Sequence, residues 1–132
     1  MRPTLREGSV RPFQDLIVWQ KAHRVTLEVY RLTTTFPKSE LYGLTSQMRR
    51  SAASIPTNIA EGSVYDDNLQ FQRFLGIALG SAAELEYQLI LVTDLGYVDR
   101  ETSATLDGTL AEVKKMLVAL RKRERSAQST KS

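Results

Sequence analysis

The sequence predicts an all-α fold, an antiparallel up-down-up-down four-helix bundle that forms a single domain. Three observations point to this fold. Apolar residues recur at spacings of three and four in four successive stretches, which is the repeat of a helix with one apolar face. Short segments containing proline or glycine separate the stretches, so consecutive helices should run antiparallel. The chain has 132 residues, 42% of them hydrophobic, which suits one domain with one core.

The first predicted helix spans about residues 15–36 and follows an N-terminal arm, residues 1–13, that has no periodicity. We expect this arm to be flexible. Asp15 is suited to cap the helix, which ends before Pro37 because the residue preceding a proline is disfavoured in the α conformation. The apolar stripe consists of Val18, Ala22, Val25, Val29, Leu32 and Phe36.

The second predicted helix spans about residues 39–62. Its apolar stripe consists of Leu41, Leu44, Met48, Ala52, Ile55 and Ile59. Pro56 lies well inside this helix, where it removes the hydrogen bond to the Ala52 carbonyl and should bend the axis. Gly62 stands where a helix-ending C′ glycine is expected.

The third predicted helix spans about residues 66–95 and begins at Asp66 or Asp67. Its stripe consists of Phe71, Leu75, Ala78, Ala82, Leu85, Leu89 and Val92. Further apolar residues lie off this stripe, which predicts apolar surface on more than one side of the helix. Gly76 and Gly80 lower helix propensity, and close packing is the expected compensation.

The fourth predicted helix spans about residues 99–125. Its stripe consists of Leu106, Leu110, Val113, Leu117 and Leu120. Beyond it the chain becomes basic and then rich in Ser, Thr and Gln, so we expect residues 126–132 to form a disordered tail.

Composition excludes several classes of function. The chain has no cysteine, which excludes disulfides and thiolate chemistry, and His23 is its only histidine, which excludes the paired ligands of di-iron bundles. We therefore expect no cofactor, no metal site and no enzyme activity, because no nucleophile has an adjacent base. No run approaches the roughly 18 apolar residues of a membrane span, and no secretion signal is present, so we expect a cytoplasmic location.

The positive charge is concentrated at the C-terminus. From Lys114 onward seven Lys and Arg residues face one acid, Glu124. The candidate nucleic-acid contacts are Lys114, Lys115, Arg121, Lys122, Arg123 and Arg125. Such a segment can attract phosphate backbones. It can equally be a solvated helix end whose cations favour the negative end of the helix dipole.

A resemblance to a known family rests on four motifs in the second and third predicted helices. They read Glu40-Leu41-Tyr42-Gly43-Leu44, Gln47-x-Arg49-Arg50, Ser54-Ile55-Pro56-x-Asn58-Ile59-Ala60-Glu61-Gly62 and Gly80-Ser81-x-x-Glu84-Leu85. In these motifs the chain, from about Phe13 to Leu120, closely resembles the four-helix-bundle proteins of the 23S ribosomal RNA intervening-sequence family.

The resemblance implies a small bundle that assembles into a homopentameric ring. It also implies kinship with the accessory proteins of diversity-generating retroelements, which look like basic barrels that bind nucleic acid and a reverse transcriptase. For most members of the family no activity is established.

The polar residues in these motifs are predicted to form a structural network. We expect Arg50 to pair with Glu84 or Glu61 across the second and third helices, since charges at a packed interface must be paired. Gln47 and Asn58 are expected to satisfy exposed backbone groups near Pro56.

Two functions from different classes follow. The first is a basic ring that binds RNA or DNA through phosphate contacts, with little sequence preference and strong salt dependence. The second is an oligomeric protein-protein adaptor or scaffold without nucleic-acid binding, in which the apolar and small-residue faces hold other subunits or a partner protein.

Overall fold

Four long helices make up the part of the chain that the structure describes. The computed structural model describes residues 12–131, with side chains described as far as residue 128. The helices are α1 (Ile17–Thr33), α2 (Ser46–Ser63), α3 (Asn68–Asp94) and α4 (Arg100–Lys131). Each packs on two neighbours, in the order α1, α2, α3, α4 and back to α1. No strand occurs within residues 12–131, and the predicted all-α four-helix bundle is confirmed.

The core follows the predicted stripes closely. Its largest fully buried side chains include Met48, Ile55, Ile59, Leu75, Leu85, Leu89, Leu110 and Leu117. Leu41 is the exception, since 47% of its surface is exposed. It lies in an irregular turn, Leu41–Thr45, in which Gly43, with φ −108° and ψ −112°, interrupts the helical conformation and forms a kink. The spacing of an α-helix does not hold across such a turn, so the register that should bury Leu41 is lost.

The ends of α1 differ from the prediction. Asp15 does not cap the helix but lies in a short 3₁₀ turn, Phe13–Asp15, and α1 starts at Ile17. The helix ends at Thr33, before the proline signal at Pro37. Threonine hydroxyls explain this early end, because those of residues 33, 34 and 35 bind carbonyl oxygens of the last turn. Most of the predicted N-terminal arm, residues 1–11, lies outside the described residues.

Pro56 leaves one carbonyl of α2 without its usual donor, and a neighbouring helix supplies the replacement. The helix continues through Pro56, whose missing N–H would have bonded the Ala52 oxygen. The Thr26 hydroxyl on α1 lies 3.1 Å from that oxygen and 3.0 Å from the oxygen of Ala22. A threonine at this point of α1 therefore stabilises a proline inside α2.

Thr26→Val should lower the free energy of unfolding by about 1–2 kcal/mol, because valine keeps the size of the side chain but leaves the Ala52 carbonyl unpaired. Thr26→Ser, the matched control, should retain most of the stability. In a Pro56→Ala background the restored N–H should reduce the cost of Thr26→Val by at least about 0.5 kcal/mol. Urea unfolding of the four proteins in this cycle measures the coupling, and equal costs in both backgrounds would contradict the assignment.

Gly62 has a different role from the one predicted. It lies inside α2, which ends one residue later at Ser63, and it is buried. A methyl group on Gly62 would lie 2.7 Å from Cβ of Phe74 and 2.8 Å from Cδ1 of Phe71. The glycine therefore permits α3 to approach α2 closely. The glycine that adopts a positive φ after a helix is Gly96, which follows α3 with φ +82°.

α4 continues beyond the predicted helix end near Arg125 and reaches Lys131, where the sequence predicted a disordered tail. Contacts with the first turns of α3 hold this extension. Glu124 accepts a hydrogen bond from the side-chain amide of Asn68, and Gln128 accepts one from Gln72 at 2.6 Å. These pairs connect distant stretches of sequence, so the composition of the tail alone does not reveal them.

α3 is the most apolar helix of the bundle. It is the one helix in the described part of the chain that is long and apolar enough to span a membrane, with a mean hydropathy of 1.3 over 18 residues. The core helix of a water-soluble bundle meets the same criterion. In α3 the charged residues Arg73, Glu84 and Glu86 interrupt the apolar sequence, while Leu75 and Leu85 are fully buried in the bundle core.

Candidate nucleic-acid interface

The six cationic residues singled out in the sequence all lie on α4 between its middle and its C-terminal end, but on different sides of it. Lys115, Lys122 and Arg125 are exposed, and Lys115 and Lys122, seven residues apart, share one face. We call these three residues the basic face. Arg123 is also exposed but lies about a quarter-turn around the helix from Lys115 and Lys122, beside the start of α1 near Ile17.

Lys114 is engaged with α3. Its Nζ lies 2.8 Å from Oε1 of Glu86, and both side chains are about two-thirds covered. This ion pair joins α3 to α4 near the middle of both helices. Lys114 therefore contributes less free charge than its neighbour Lys115, which is exposed and has no acidic partner among the described residues.

The acidic residue of this segment points away from the basic face. Glu124 binds Asn68 at the start of α3 and is partly buried there. The exposed side chains that α4 presents between residues 114 and 125 therefore include cations and no acid. The charge separation arises from the fold, because the sequence places Glu124 directly between Arg123 and Arg125.

Arg121 lies in the groove between α3 and α4, at the edge of the basic face. Its guanidinium rests on the backbone of Gly76, such that a methyl group there would come within 3.0 Å of Nη2 and 3.1 Å of Cζ. Its Nε is buried and has no hydrogen-bond partner among the described residues. Arg121 is thus positioned by packing and not by an ion pair.

The same groove contains a cation that sequence reasoning missed. Its volume is about 760 Å³, and it is lined by Asp67, Leu69, Gln70, Gln72, Arg73, Gly76, Ile77 and Arg121. Arg73 lies on the α3 side and is exposed. A single arginine within a helix gives no signal in the sequence, and only the packing of α3 on α4 brings it beside Arg121.

A small polar cleft lies between α2 and α3. Its volume is about 230 Å³, and it is lined by Gln47, Arg50, Ser51, Ser54, Ser81 and Glu84. All of these residues except Ser51 belong to the family-like motifs of two separate helices. The structure therefore brings together most of the predicted polar network, Gln47, Arg50 and Glu84 included.

The expected ion pairs of this network do not form. Among the described residues, neither Glu84 nor Glu61 lies within ion-pair distance of Arg50. All three side chains are exposed and solvated, so pairing is not required.

Neutral hydrogen bonds connect the helices at the polar cleft instead. The hydroxyls of Ser54 and Ser81 lie 2.7 Å apart, and Asn58 donates to the Ser54 carbonyl at 2.7 Å. Asn58 thus binds a backbone oxygen two residues before Pro56, while the Ala52 oxygen that Pro56 leaves free is bound by Thr26. The backbone oxygen of Gln47 accepts a hydrogen bond from the Ser51 hydroxyl at 3.0 Å.

The shifted pKa values lie at the α3–α4 turn, away from both sites. The Tyr97 hydroxyl donates to Glu40 at 3.0 Å, and this bond raises the pKa of Tyr97. Hydrogen bonds from the backbone and hydroxyl of Thr102 lower the pKa of Asp99, which caps the start of α4. Both groups therefore stabilise local structure. The described residues contain no cluster of three or more His, Asp and Glu residues able to hold a metal.

Comparison with known proteins identifies relatives of the fold. The model of the family described as 23S rRNA-intervening sequence protein matches residues 14–119. A crystal structure of a protein of unknown function from the S23 ribosomal protein family of Bacteroides thetaiotaomicron VPI-5482 is similar, with 27% identity and a TM-score of 0.73. The similarity covers 80% of this chain and 99% of that one. No curated protein matches. Arg121, Lys122 and Arg125 lie beyond the part that matches the family.

Proposed function

The chain belongs to the 23S rRNA-intervening sequence protein family, and we propose that it is a non-enzymatic, oligomeric four-helix-bundle protein that binds nucleic acid through phosphate contacts. One observation carries this proposal. The exposed surface of α4 around Lys115, Lys122 and Arg125 is cationic, because Glu124, the acid within this segment, is turned inward to Asn68.

The chemistry of the basic face favours the phosphate backbone over the bases. Lysine and arginine side chains bind phosphate oxygens readily, and these contacts carry no sequence information. Val118, the apolar residue between Lys115 and Lys122, is not an aromatic platform on which a base could stack. We therefore expect RNA or DNA binding with little sequence preference.

Self-association would strengthen such binding by repeating the basic face. Its support is an apolar patch on the second half of α3, where Tyr87 is 61% and Ile90 55% exposed, together with Leu95, the residue that follows α3, which is 50% exposed. Apolar surface of this kind marks interfaces between proteins. Tyr87 lies eleven residues from Gly76, or about 16 Å along the helix, so an interface there is distant from the Arg121 end of α4. Lys115 lies closer to such an interface, since its neighbour Lys114 bonds Glu86. A homopentamer, as the family resemblance implies, is the proposed assembly.

The same apolar patch supports the second candidate, a protein-protein adaptor or scaffold. In that case Tyr87, Ile90 and Leu95 would contact a different protein, such as a reverse transcriptase by the family resemblance, and nucleic acid would not bind. The two candidates differ in a direct observable, the salt-dependent affinity for RNA and DNA.

Binding should be measured by fluorescence anisotropy with a structured RNA and a duplex DNA at several salt concentrations. The affinity of the natural protein should fall linearly with salt on logarithmic axes, with a slope of about −0.9 for each phosphate contacted in duplex DNA. The double variant Lys115→Glu/Lys122→Glu should bind at least about tenfold more weakly at low salt, since it loses two contacts and gains two repulsive charges.

A charge-matched control separates the basic face from net charge. Arg24→Glu/Lys38→Glu changes two exposed cations at other positions by the same amount and should lose far less affinity. Equal loss in both double variants would show diffuse attraction and no defined face. Absence of binding by the natural protein at low salt would eliminate the nucleic-acid proposal and favour the adaptor. Native mass spectrometry of the same samples gives the subunit count.

A further inference from the structure

We propose that the groove between the start of α3 and the end of α4 binds one backbone phosphate of a nucleic acid between Arg121 and Arg73, with Gly76 as the seat of the Arg121 guanidinium. This inference rests on the proposed function and deepens it, since it assigns a specific contact to residues outside the basic face. Gly76 and Arg73 belong to this site because α3 packs on α4 and brings them beside Arg121; the sequence alone does not indicate them.

Gly76 gives the Arg121 guanidinium its place. The Arg121 guanidinium lies against the position at which any other residue at position 76 would place its Cβ, 3.0 Å from Nη2 and so in tight contact. Gly80, one turn further along α3, has no atom within 4 Å of the corresponding position. Of these two glycines, only Gly76 gives a neighbouring side chain its place.

Among the described residues, the Nε donor of Arg121 has no hydrogen-bond acceptor. Its side chain is partly buried, Nε is fully covered, and no carboxylate pairs with it among the described residues. A partly desolvated guanidinium binds an anion more strongly than an exposed one does, and because Nε is covered, the phosphate would contact the terminal Nη groups. The planar fork of arginine matches two oxygens of a phosphate group.

The charged side chains that line the groove give it a net positive charge. Arg73 lines it from α3 and has no acidic partner among the described residues. The carboxylate of Asp67 also lines it, but one of its oxygens already accepts the Leu69 backbone N–H at 2.9 Å, as the cap of α3. Two cations thus face one partly engaged acid, which leaves the groove cationic.

The groove lies next to the basic face of α4. Arg121 precedes Arg125 by four residues, so the two lie one turn apart on α4, and Lys122 is its neighbour. A nucleic-acid strand that contacts the basic face therefore passes the open side of the groove. At about 760 Å³ the groove has room for a phosphate group and the adjoining sugar.

Gly76→Ala tests the seat without changing any charge. The new methyl group should displace the guanidinium, which is the movable end of a long side chain, so the bundle should keep or raise its melting temperature because alanine is the better helix former. Affinity for the same RNA and DNA should nevertheless fall, and the salt slope should become shallower by about one phosphate contact. Gly80→Ala, the matched control, should leave affinity and slope unchanged.

Arg121→Gln and Arg73→Gln test the two cations separately. If they hold the same phosphate, each should reduce the slope by about one contact, and the double variant should lose less affinity than the two single losses combined. Inorganic phosphate at millimolar concentration, used as a competitor, should reduce the difference in nucleic-acid affinity between the natural protein and Arg121→Gln. Free phosphate and the backbone phosphate present the same oxyanion and would compete for the same groove.

The outcomes separate this inference from the function on which it rests. Binding by the natural protein together with unchanged binding by Gly76→Ala would overturn the inference and leave the proposed function standing. No binding by the natural protein would overturn both. A change in subunit count for Gly76→Ala, with unchanged affinity per subunit, would show that another copy of the chain occupies the groove, which also overturns the inference.

Discussion

Gly62→Ala is expected to lower the free energy of unfolding by about 1–3 kcal/mol, although alanine is the better helix former by about 1 kcal/mol. The added methyl group would lie 2.7 Å from Cβ of Phe74 and 2.8 Å from Cδ1 of Phe71. The Cβ of Phe74 is fixed to its backbone and cannot swing aside, so α2 and α3 would have to separate. Neighbouring core contacts would then loosen along the whole α2–α3 interface.

Urea unfolding followed by circular dichroism measures this effect, with Gly80→Ala as the control. Gly80 is also in a helix but has open space around it, so its replacement by alanine should raise the stability by about 1 kcal/mol or less. The two substitutions are chemically identical and should act in opposite directions. A stabilising effect of Gly62→Ala would show that α2 and α3 do not approach each other as described.

The glycines show what the sequence can and cannot predict. Gly62 stands near the end of a predicted helix, and helix-ending glycines are common there, so the local pattern favours a C′ role. Its actual function depends on Phe71 and Phe74, which belong to the next helix. The same holds for Gly76, whose use is evident only when Arg121 of α4 lies across it.

The bundle itself could be predicted because its information is local. Spacings of three and four report which side of each helix is apolar, and nearly every stripe residue is buried as expected. The failures occur where the helix is not regular or where polar groups compete. Leu41 is exposed because a kink at Gly43 changes the register, and α1 ends early because threonine hydroxyls bind its last carbonyls.

The candidate sites were predicted less well because charge partners lie on other helices. The sequence identifies Lys114 as a cation but not its pairing with Glu86, 28 residues away. It identifies Glu124 as the single acid of a basic segment but not its contact with Asn68. Likewise Arg50 and Glu84 meet at one cleft without pairing, since both reach water. Side-chain direction, and not residue type, decides each case.

Leu85→Ala should have the largest effect on stability, a loss of about 2–5 kcal/mol, because it removes a fully buried side chain from the middle of α3 and leaves a cavity. Single domains are stable by only about 5–15 kcal/mol, so this variant should unfold at a much lower urea concentration. Ile90→Ala, on the same helix at 55% exposure, should change the stability of the isolated bundle by about 0.5 kcal/mol or less.

Comparison of these two variants also bears on the apolar patch of α3. In a dilute, monomeric sample only Leu85→Ala should destabilise. If Ile90→Ala also lowers the stability, and does so only at protein concentrations at which subunits associate, Ile90 is covered in the assembly. A large loss from Ile90→Ala at every concentration would contradict the exposed position of Ile90, and a small loss from Leu85→Ala would contradict the core. The folded fraction of Leu85→Ala should still bind nucleic acid, since position 85 lies nine residues from Gly76 on the buried face of α3.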